Sequence, residues 1–320
     1  MNLLELVEQY RRQAQDVGSG GPTGSAAAVV SLINTVYVRL CERAVRADAG
    51  WFRERSDIPF VQGRERYPLP FRARTVKRLQ AIRAAGTSAE IEVGDLLPVQ
   101  ELEAQIVARN IFPHIRFFLD GPYIRLVGAF ASTTNIGTLR VWYEGVPARL
   151  SSGIVTTYTT FTEDDPAGTT VTRGRIVLPE IPSLGSTFVR ADYYRNSLLQ
   201  IVEGPGADDI QIVRLHSGPT TRTIDLDSTL LGVATPADVN GKSVYSFLPR
   251  LPEAFHDLIY LEAVHDALAS EANNRALTAL APIRTPRLQE FREALAARES
   301  VIGEGVKQVS EPSGGDMVWP

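Results

Sequence analysis

The sequence predicts an α+β protein in which helices from both ends of the chain form one bundle, interrupted by a large β-rich insertion, a β-sandwich or small barrel. Three observations predict this. Helical spacing of apolar residues is confined to the two ends, before residue 50 and after residue 248. The stretch between them alternates in short runs rich in Thr, Val and Ile, punctuated by Gly and Pro. Two amphipathic segments in sequence at the C-terminal end have an unpaired apolar side each, and the N-terminal segments are the available partners.

At the N-terminal end, Leu3, Leu6, Val7, Tyr10 and Ala14 mark a short helix that the Gly- and Ser-rich run 18–25 terminates. Val29, Ile33, Val36, Tyr37, Leu40 and Ala44 line a second, longer one, with Thr23 or Ser25 available as N-cap and Gly50 near its end. Trp51 and Phe52 follow, placed to seal one end of the bundle. From residue 60 the texture becomes β-like. Strands are expected at 76–82, 89–93, 115–119, 123–127 and 138–143, with a short helix at 97–107 and a tight turn at Asp120-Gly121-Pro122. A second β module spans 151–247, with strands at 154–161, 169–177, 187–194, 198–202, 210–215 and 220–226 and a hairpin turn at Asn240-Gly241. Leu251, Phe255, Leu258, Ile259, Leu261, Val264 and Leu268 form the C-terminal stripe. A break is expected between Pro282 and Pro286, before a last run with Leu288, Phe291, Leu295 and Val301. The resulting division is a helical core of 1–59 and 248–302, a β-rich domain of 60–150, an inserted module of 151–247 and an extended tail of 303–320.

Composition narrows the classes. The net charge of −4 makes the chain as a whole no polyanion binder. Basic charge is almost all arginine, with Lys77, Lys242 and Lys307 the only lysines. Cys41 is the sole cysteine, which excludes an intrachain disulfide and a thiolate cluster, and its apolar neighbours mark it as a core side chain. No apolar run approaches the ~20 residues a bilayer span needs, and the N-terminus lacks a signal-peptide layout, so a soluble protein made in a reducing cytoplasm is expected.

A search for chemistry returns little. The Gly-rich run 18–24 follows a helix and lacks a Gly-Lys-Ser/Thr ending, while Gly241-Lys242-Ser243 has the ending but Pro236 where the first glycine belongs. His114, His216, His256 and His265 are the only histidines, and the last two, nine residues apart on one helix, face different ways. No catalytic residue, metal or cofactor is expected. Asp164 and Asp208 sit in turns, and a carbohydrate-binding or glycan-cleaving β protein is the alternative they leave. Arg72, Arg74, Lys77, Arg78 and Arg83 form the one basic cluster; it reads first as a charged strand edge kept from pairing, and only with interleaved aromatics as a nucleic-acid platform.

The order of parts adds a resemblance. A short helix, a longer one ending in Trp51-Phe52, then Tyr67-Pro68-Leu69-Pro70, Asp120-Gly121-Pro122-Tyr123-Ile124-Arg125-Leu126 and Leu139-Arg140-Val141-Trp142-Tyr143 come first. Leu248-Pro249 and Phe255-His256-Asp257-Leu258-Ile259 then open a helical hairpin. Over residues 1–150 and 248–300 this resembles the adaptor (head-to-tail connector) proteins of tailed bacteriophages, with another neck or baseplate component of similar build as the alternative. The resemblance implies a homo-oligomeric ring, typically twelvefold, in the virion neck beneath the portal protein and above tail or neck proteins. A channel along its axis would pass DNA without holding it, and no membrane is involved. It further implies ring packing through the helical core, Val29, Ile33, Val36, Tyr37, Leu40, Phe255, Leu258, Ile259 and Leu268. A C-terminal extension would reach the portal through Asp316, Met317, Val318 and Trp319.

Overall fold

The protein is an α+β chain, and its computed structural model describes residues 1–16, 25–47, 49–61, 63–70, 72–83, 92–95, 97–98, 116–127, 136–164, 169–179, 193–217 and 222–309. Two compact units divide it, one made of Met1–Trp51 with Pro147–Pro320, the other of Phe52–Val146.

In the first unit, α1 (Leu3–Asp16) buries Leu3, Leu6, Tyr10 and Ala14, the stripe that its spacing dictates. Helix α2 (Ala26–Arg46) starts at Ser25, whose hydroxyl accepts the Ala28 N–H at 3.3 Å, and ends with Arg43 and Arg46 against the negative end of its dipole. Past the short α3 (Pro236–Val239) come α4 (His256–Ser270) and α5 (Asn274–Val309). Helices α1, α2 and α5 all pack on α4. The break between α4 and α5 does not fall at Pro282–Pro286. It falls at Ala272, with φ 53°, after which Asn273 restarts the helix by accepting the Ala276 N–H at 3.1 Å. Helix α5 runs through both prolines because each is exposed, so the carbonyls they leave unpaired face water. Its buried side, Ala276, Leu280, Leu288 and Phe291, is undisturbed.

The same unit holds seven strands, β9 (Ser152–Ile154), β10 (Thr157–Asp164), β11 (Thr170–Val177), β12 (Leu198–Glu203), β13 (Ile210–Ser217), β14 (Thr223–Leu226) and β15 (Val244–Leu248). Their order is β10-β11-β14-β13-β12-β15-β9. The two end strands of that order are consecutive in the chain, separated only by Val155 and Thr156, whose N–H groups donate to Ser243 and Val177 carbonyls at 2.8 and 3.2 Å. One continuous stretch therefore pairs β15 at its start and β11 further on. Strand β13 does the same on the opposite side, pairing β12 through residues 210–212 and β14 beyond an irregularity between Val213 and Leu215. Two strands that change partners in this way bend a sheet around one core. Val155, Tyr158, Ile176, Leu199, Ile201, Val213, Ile224, Tyr245 and Phe247 are buried, with Tyr194 stacked on Phe247 at 4.4 Å.

Asn240-Gly241 is not a hairpin turn. Gly241 takes φ 69° to lead from α3 into β15, and the Asn240 side-chain oxygen Oδ1 accepts the Tyr158 N–H at 2.6 Å. Of the strand expected at 187–194, only residues 193–194 are described, and they lie in a turn. Four long-range links tie the helices to this sheet. The Leu3 N–H donates to the Ser246 hydroxyl (3.1 Å), and the Asn2 amide donates to Gln200 (3.1 Å). Asn34 exchanges two bonds with the Leu150 backbone (3.0 and 2.6 Å), and the Arg250 N–H donates to the Tyr37 hydroxyl (3.0 Å).

The second unit stacks two four-stranded sheets. One has the order β1-β8-β3-β4, built from Arg53–Pro59, Ile136–Gly145, Ala73–Arg83 and Glu92–Asp95; the other is β2-β7-β6-β5, from Arg66–Pro68, Tyr123–Val127, Arg116–Asp120 and Leu97–Pro98. Tyr67, Leu79, Phe117, Ile124, Leu126, Leu139, Val141 and Tyr143 fill the space between them. Leu97 and Pro98 pair in parallel with β6 where a helix was expected to begin; Pro98 disfavours helix for the residue before it, and the rest of 97–107 lies outside the described residues.

Candidate functional site

Among the helices, Val29, Ile33, Val36, Tyr37, Leu40, Leu258, Ile259 and Leu268 are all buried within the protomer. Phe255 is half-buried in an aromatic cluster, stacked on Trp51 at 5.7 Å and edge-on to Phe291 at 5.3 Å, and Trp51 also meets Phe291 at 6.0 Å. The cluster joins the end of α2 to both C-terminal helices. Beside α4 runs an ion network that the periodicity did not disclose. Glu262, buried, accepts from Arg284 Nε at 2.5 Å and Arg39 at 3.5 Å, while Arg39 also meets Asp266 at 2.9 Å. Arg287 pairs with Asp257 at 2.7 Å. The only sequence signal was an acidic residue one step from Leu261 on an otherwise apolar face.

The residues with chemical potential do not converge. Burial pushes the Cys41 thiol well above its usual range, so it behaves as a core side chain. His256 is buried, its Nε2 2.8 Å from the Leu251 carbonyl, and burial lowers its pKa. His265 lies on the same helix, 3.5 Å from Asp266. His114 and the Gly-rich run 18–24 lie outside the described residues. Asp164 accepts the Thr170 hydroxyl at 2.9 Å in β10, and Asp208 is an exposed turn residue with φ 67°. Next to Asp164, Glu163 is held below the usual carboxylate range first by its hydrogen bond from Arg214 and then by Arg173. Among the described residues, no group of three or more His, Cys, Asp or Glu is placed to hold a metal ion. No described helix is long and apolar enough to cross a membrane.

The basic cluster is divided by its strand. Arg72 is buried and turns to Glu54 at 3.5 Å, whose other oxygen accepts the Tyr143 hydroxyl at 2.8 Å. Arg74, Lys77 and Arg78 are exposed, and the side chain of Arg83 is outside the description. Among the described residues the segment 73–79 pairs with β8 alone, whereas Gln80, Ala81 and Ile82 also pair with β4. An aromatic residue does stand among these cations. Trp142 is opposite Arg55 on β1 and Arg78 on β3, its indole N–H donates to Gln80 at 3.1 Å, and the Arg55 guanidinium lies 5.8 Å from its ring centre. Strand alternation alone would place Trp142 outward, but only the pairing across some sixty residues sets it between two arginines.

Asp316, Met317, Val318 and Trp319 lie outside the described residues. Comparison with protein families matches residues 1–167, slightly more than half the chain, to the family model described as SU10 adaptor protein. No curated protein matches the chain.

Proposed function

The chain belongs to the SU10 adaptor protein family, structural proteins of phage virions with partners at head and tail, and from that premise we propose a ring that docks beneath the portal and links capsid to tail. The helices α1, α2, α4 and α5 are the part that repeats around the axis in this reading, with the strands of 152–248 packed in the same unit and 52–146 as the excursion from it. Twelve copies enclose a channel that the genome crosses, placing the protein in the neck of the virion. The observation that carries this reading is the packing of α1, α2 and α5 on α4, which joins both ends of the chain in one unit. An adaptor has to transmit load between two assemblies, and helices from distant parts of the chain packed on one another suit that task.

Residues 303–320 reach the portal in this reading, with Met317, Val318 and Trp319 as apolar anchors and Asp316 at their rim; the first seven of them continue helix α5 to Val309 where the sequence suggests an extended tail. A few desolvated apolar and aromatic contacts of this kind carry most of the energy of a docking interface. Sedimentation and negative-stain images of the protein with and without purified portal test the proposal. A ring that binds portal, and a variant lacking 303–320 that keeps its fold but loses portal, are the expected results. A protein that stays monomeric and ignores portal would overturn it.

A further inference from the structure

The start of α1 is held by three distant groups. The Met1 nitrogen lies 3.0 Å from Nδ1 of His256, the Asn2 amide donates to Gln200 on β12, and the Leu3 N–H donates to the Ser246 hydroxyl on β15, the last two at 3.1 Å. Asn2 and Glu5 close a reciprocal cap on the same turn, each side chain accepting the other's backbone N–H at 3.1 Å. Leu3 and Leu6 are fully buried there. Of the three distant contacts, the one with His256 is the one whose side chain titrates near neutral pH.

The hydrogen-bond directions around His256 are fixed. A carbonyl can only accept, so the Leu251 oxygen, 2.8 Å from Nε2, requires a proton on that nitrogen. The Met1 nitrogen donates, so Nδ1 has to offer its lone pair. Only the neutral tautomer with its proton on Nε2 satisfies both. A second proton, on Nδ1, would set donor against donor at 3.0 Å. The site gives an imidazolium little support, because His256 is 5% exposed and is the first residue of α4, where the helix dipole is positive. The charged groups around it are the Met1 amine and Glu5 from α1, Glu253 just before α4, and Asp257 on α4, which Arg287 of α5 holds at 2.7 Å. Strands β12 and β15 bring the uncharged Gln200 and Ser246 to the same helix start. Burial, aided by the Met1 charge, lowers the His256 pKa against the pull of the Leu251 carbonyl and Glu253.

We propose that His256 is a proton-operated latch on α1: neutral, it fastens the first turn of the helix to α4, and protonated, it releases that turn and uncovers the surface that Leu3 and Leu6 bury. Tyr10 and Ala14, buried further along α1, keep the remainder of the helix seated. In the open form the imidazole is in water and takes its proton at the ordinary value of about 6.5, below which the closed form lags behind. Acid therefore favours opening, and above that value the latch stays shut. The open fraction should rise up to about tenfold for each pH unit below 6.5, until the closed form binds the proton as well. Such a latch works in a single copy as it does in a ring.

Amide hydrogen exchange on the full chain between about pH 7.5 and 5.5, corrected for the intrinsic pH dependence of exchange, tests the latch. Opening of residues 2–7 should grow up to about tenfold over the last pH unit while α4 and β12 keep their protection. His256→Gln, whose amide donates and accepts throughout this range, should flatten the response. Ser246→Ala should loosen the same turn at every pH and leave the slope in place, which separates the latch from docking in general. Protection of residues 2–7 that ignores pH overturns the proposal. So does a loss of protection in all elements together, which would assign the proton to global stability alone. Should the Gln variant fail to fold, nitrogen-15 spectra of the wild type with labelled histidine decide. A proton on Nε2 at neutral pH, and a titration that coincides with opening of residues 2–7, are expected; a proton on Nδ1 refutes the latch.

Discussion

Replacing Glu262 by Gln removes one charge from the junction of α2, α4 and α5 and leaves shape and volume almost unchanged. The carboxylate side chain is 4% exposed, while its partners Arg284 and Arg39 keep 21% and 37% of their surface in water. Breaking a fully buried ion pair costs about 3–5 kcal/mol, and an exposed pair is worth about 0.2–1. Here only the acid is dry. The two guanidiniums can turn to solvent when it is lost, and the Gln oxygen still accepts from one of them, so the expected cost lies between these limits, at about 2 kcal/mol. Urea unfolding followed by far-ultraviolet dichroism and by Trp51 fluorescence in a background with Trp142→Phe and Trp319→Phe reads this quantity where it acts, since Trp51 stacks on Phe255 and meets Phe291. Combining Glu262→Gln with Arg284→Met should cost less than the two changes summed, by about 1 kcal/mol, because both remove the same bond. A loss below about 0.5 kcal/mol, or additivity within about 0.3 kcal/mol, would refute the view that this network locks the two chain ends together.

Asn34→Leu should destabilise by about 2–4 kcal/mol in the same assay, since it strips both partners from the buried Leu150 backbone. His256 gives a pH dependence. Its folded pKa lies below the unfolded value of about 6.5, so on acidification through that value the unfolded chain takes up a proton first and stability falls, fully present above it and declining below. The urea midpoint should drop between about pH 7.5 and 5.5 in the wild type and drop less in His256→Gln. Pro282→Ala should raise the melting temperature, because the site is exposed, already helical, and regains a bond to the Thr278 carbonyl worth about 1 kcal/mol or more. Gly204→Ala should lower it, since a Cβ there would meet the Lys242 carbonyl at 2.6 Å with φ at +86°.

What could be read in advance depended on the range of the physics involved. The stripe Val29, Ile33, Val36, Tyr37 and Leu40 is a local property of a 3.6-residue repeat, and all of it is buried. Ser25 as N-cap is equally local. Pro282 and Pro286 misled because proline's cost depends on which side of the helix it occupies, and that side is decided by the neighbours of α5. Strands β7 and β11 were legible one by one from alternation. The closure of β9–β10 on both β15 and β11 was not, because it needs the irregularity at Val213–Leu215 on the far side to bend the sheet. The Arg55–Trp142–Arg78 row lies beyond sequence reading for a similar reason. Each residue's outward direction follows from alternation, but which cation faces the ring is set by registers with shifts at Ala73 and at Val76.

The polar links of the first unit explain how its helices are held in one place on the sheet. Apolar stripes alone are tolerant, and a helix can slide by a turn and still bury leucines. Leu3 with Ser246, Asn34 with Leu150, and Tyr37 with Arg250 do not allow this, because each pairs a group on an N-terminal helix with one more than a hundred positions away. A correct bond adds only about 1 kcal/mol, but a shifted helix would leave a buried donor or acceptor empty at about 1–3 kcal/mol apiece. The links therefore select one arrangement more than they stabilise it. That distinction matters for a protein proposed to repeat around an axis. A small error in how each helix sits would be multiplied by every copy, and the ring would fail to close, so positional uniqueness in the protomer is what symmetry demands first.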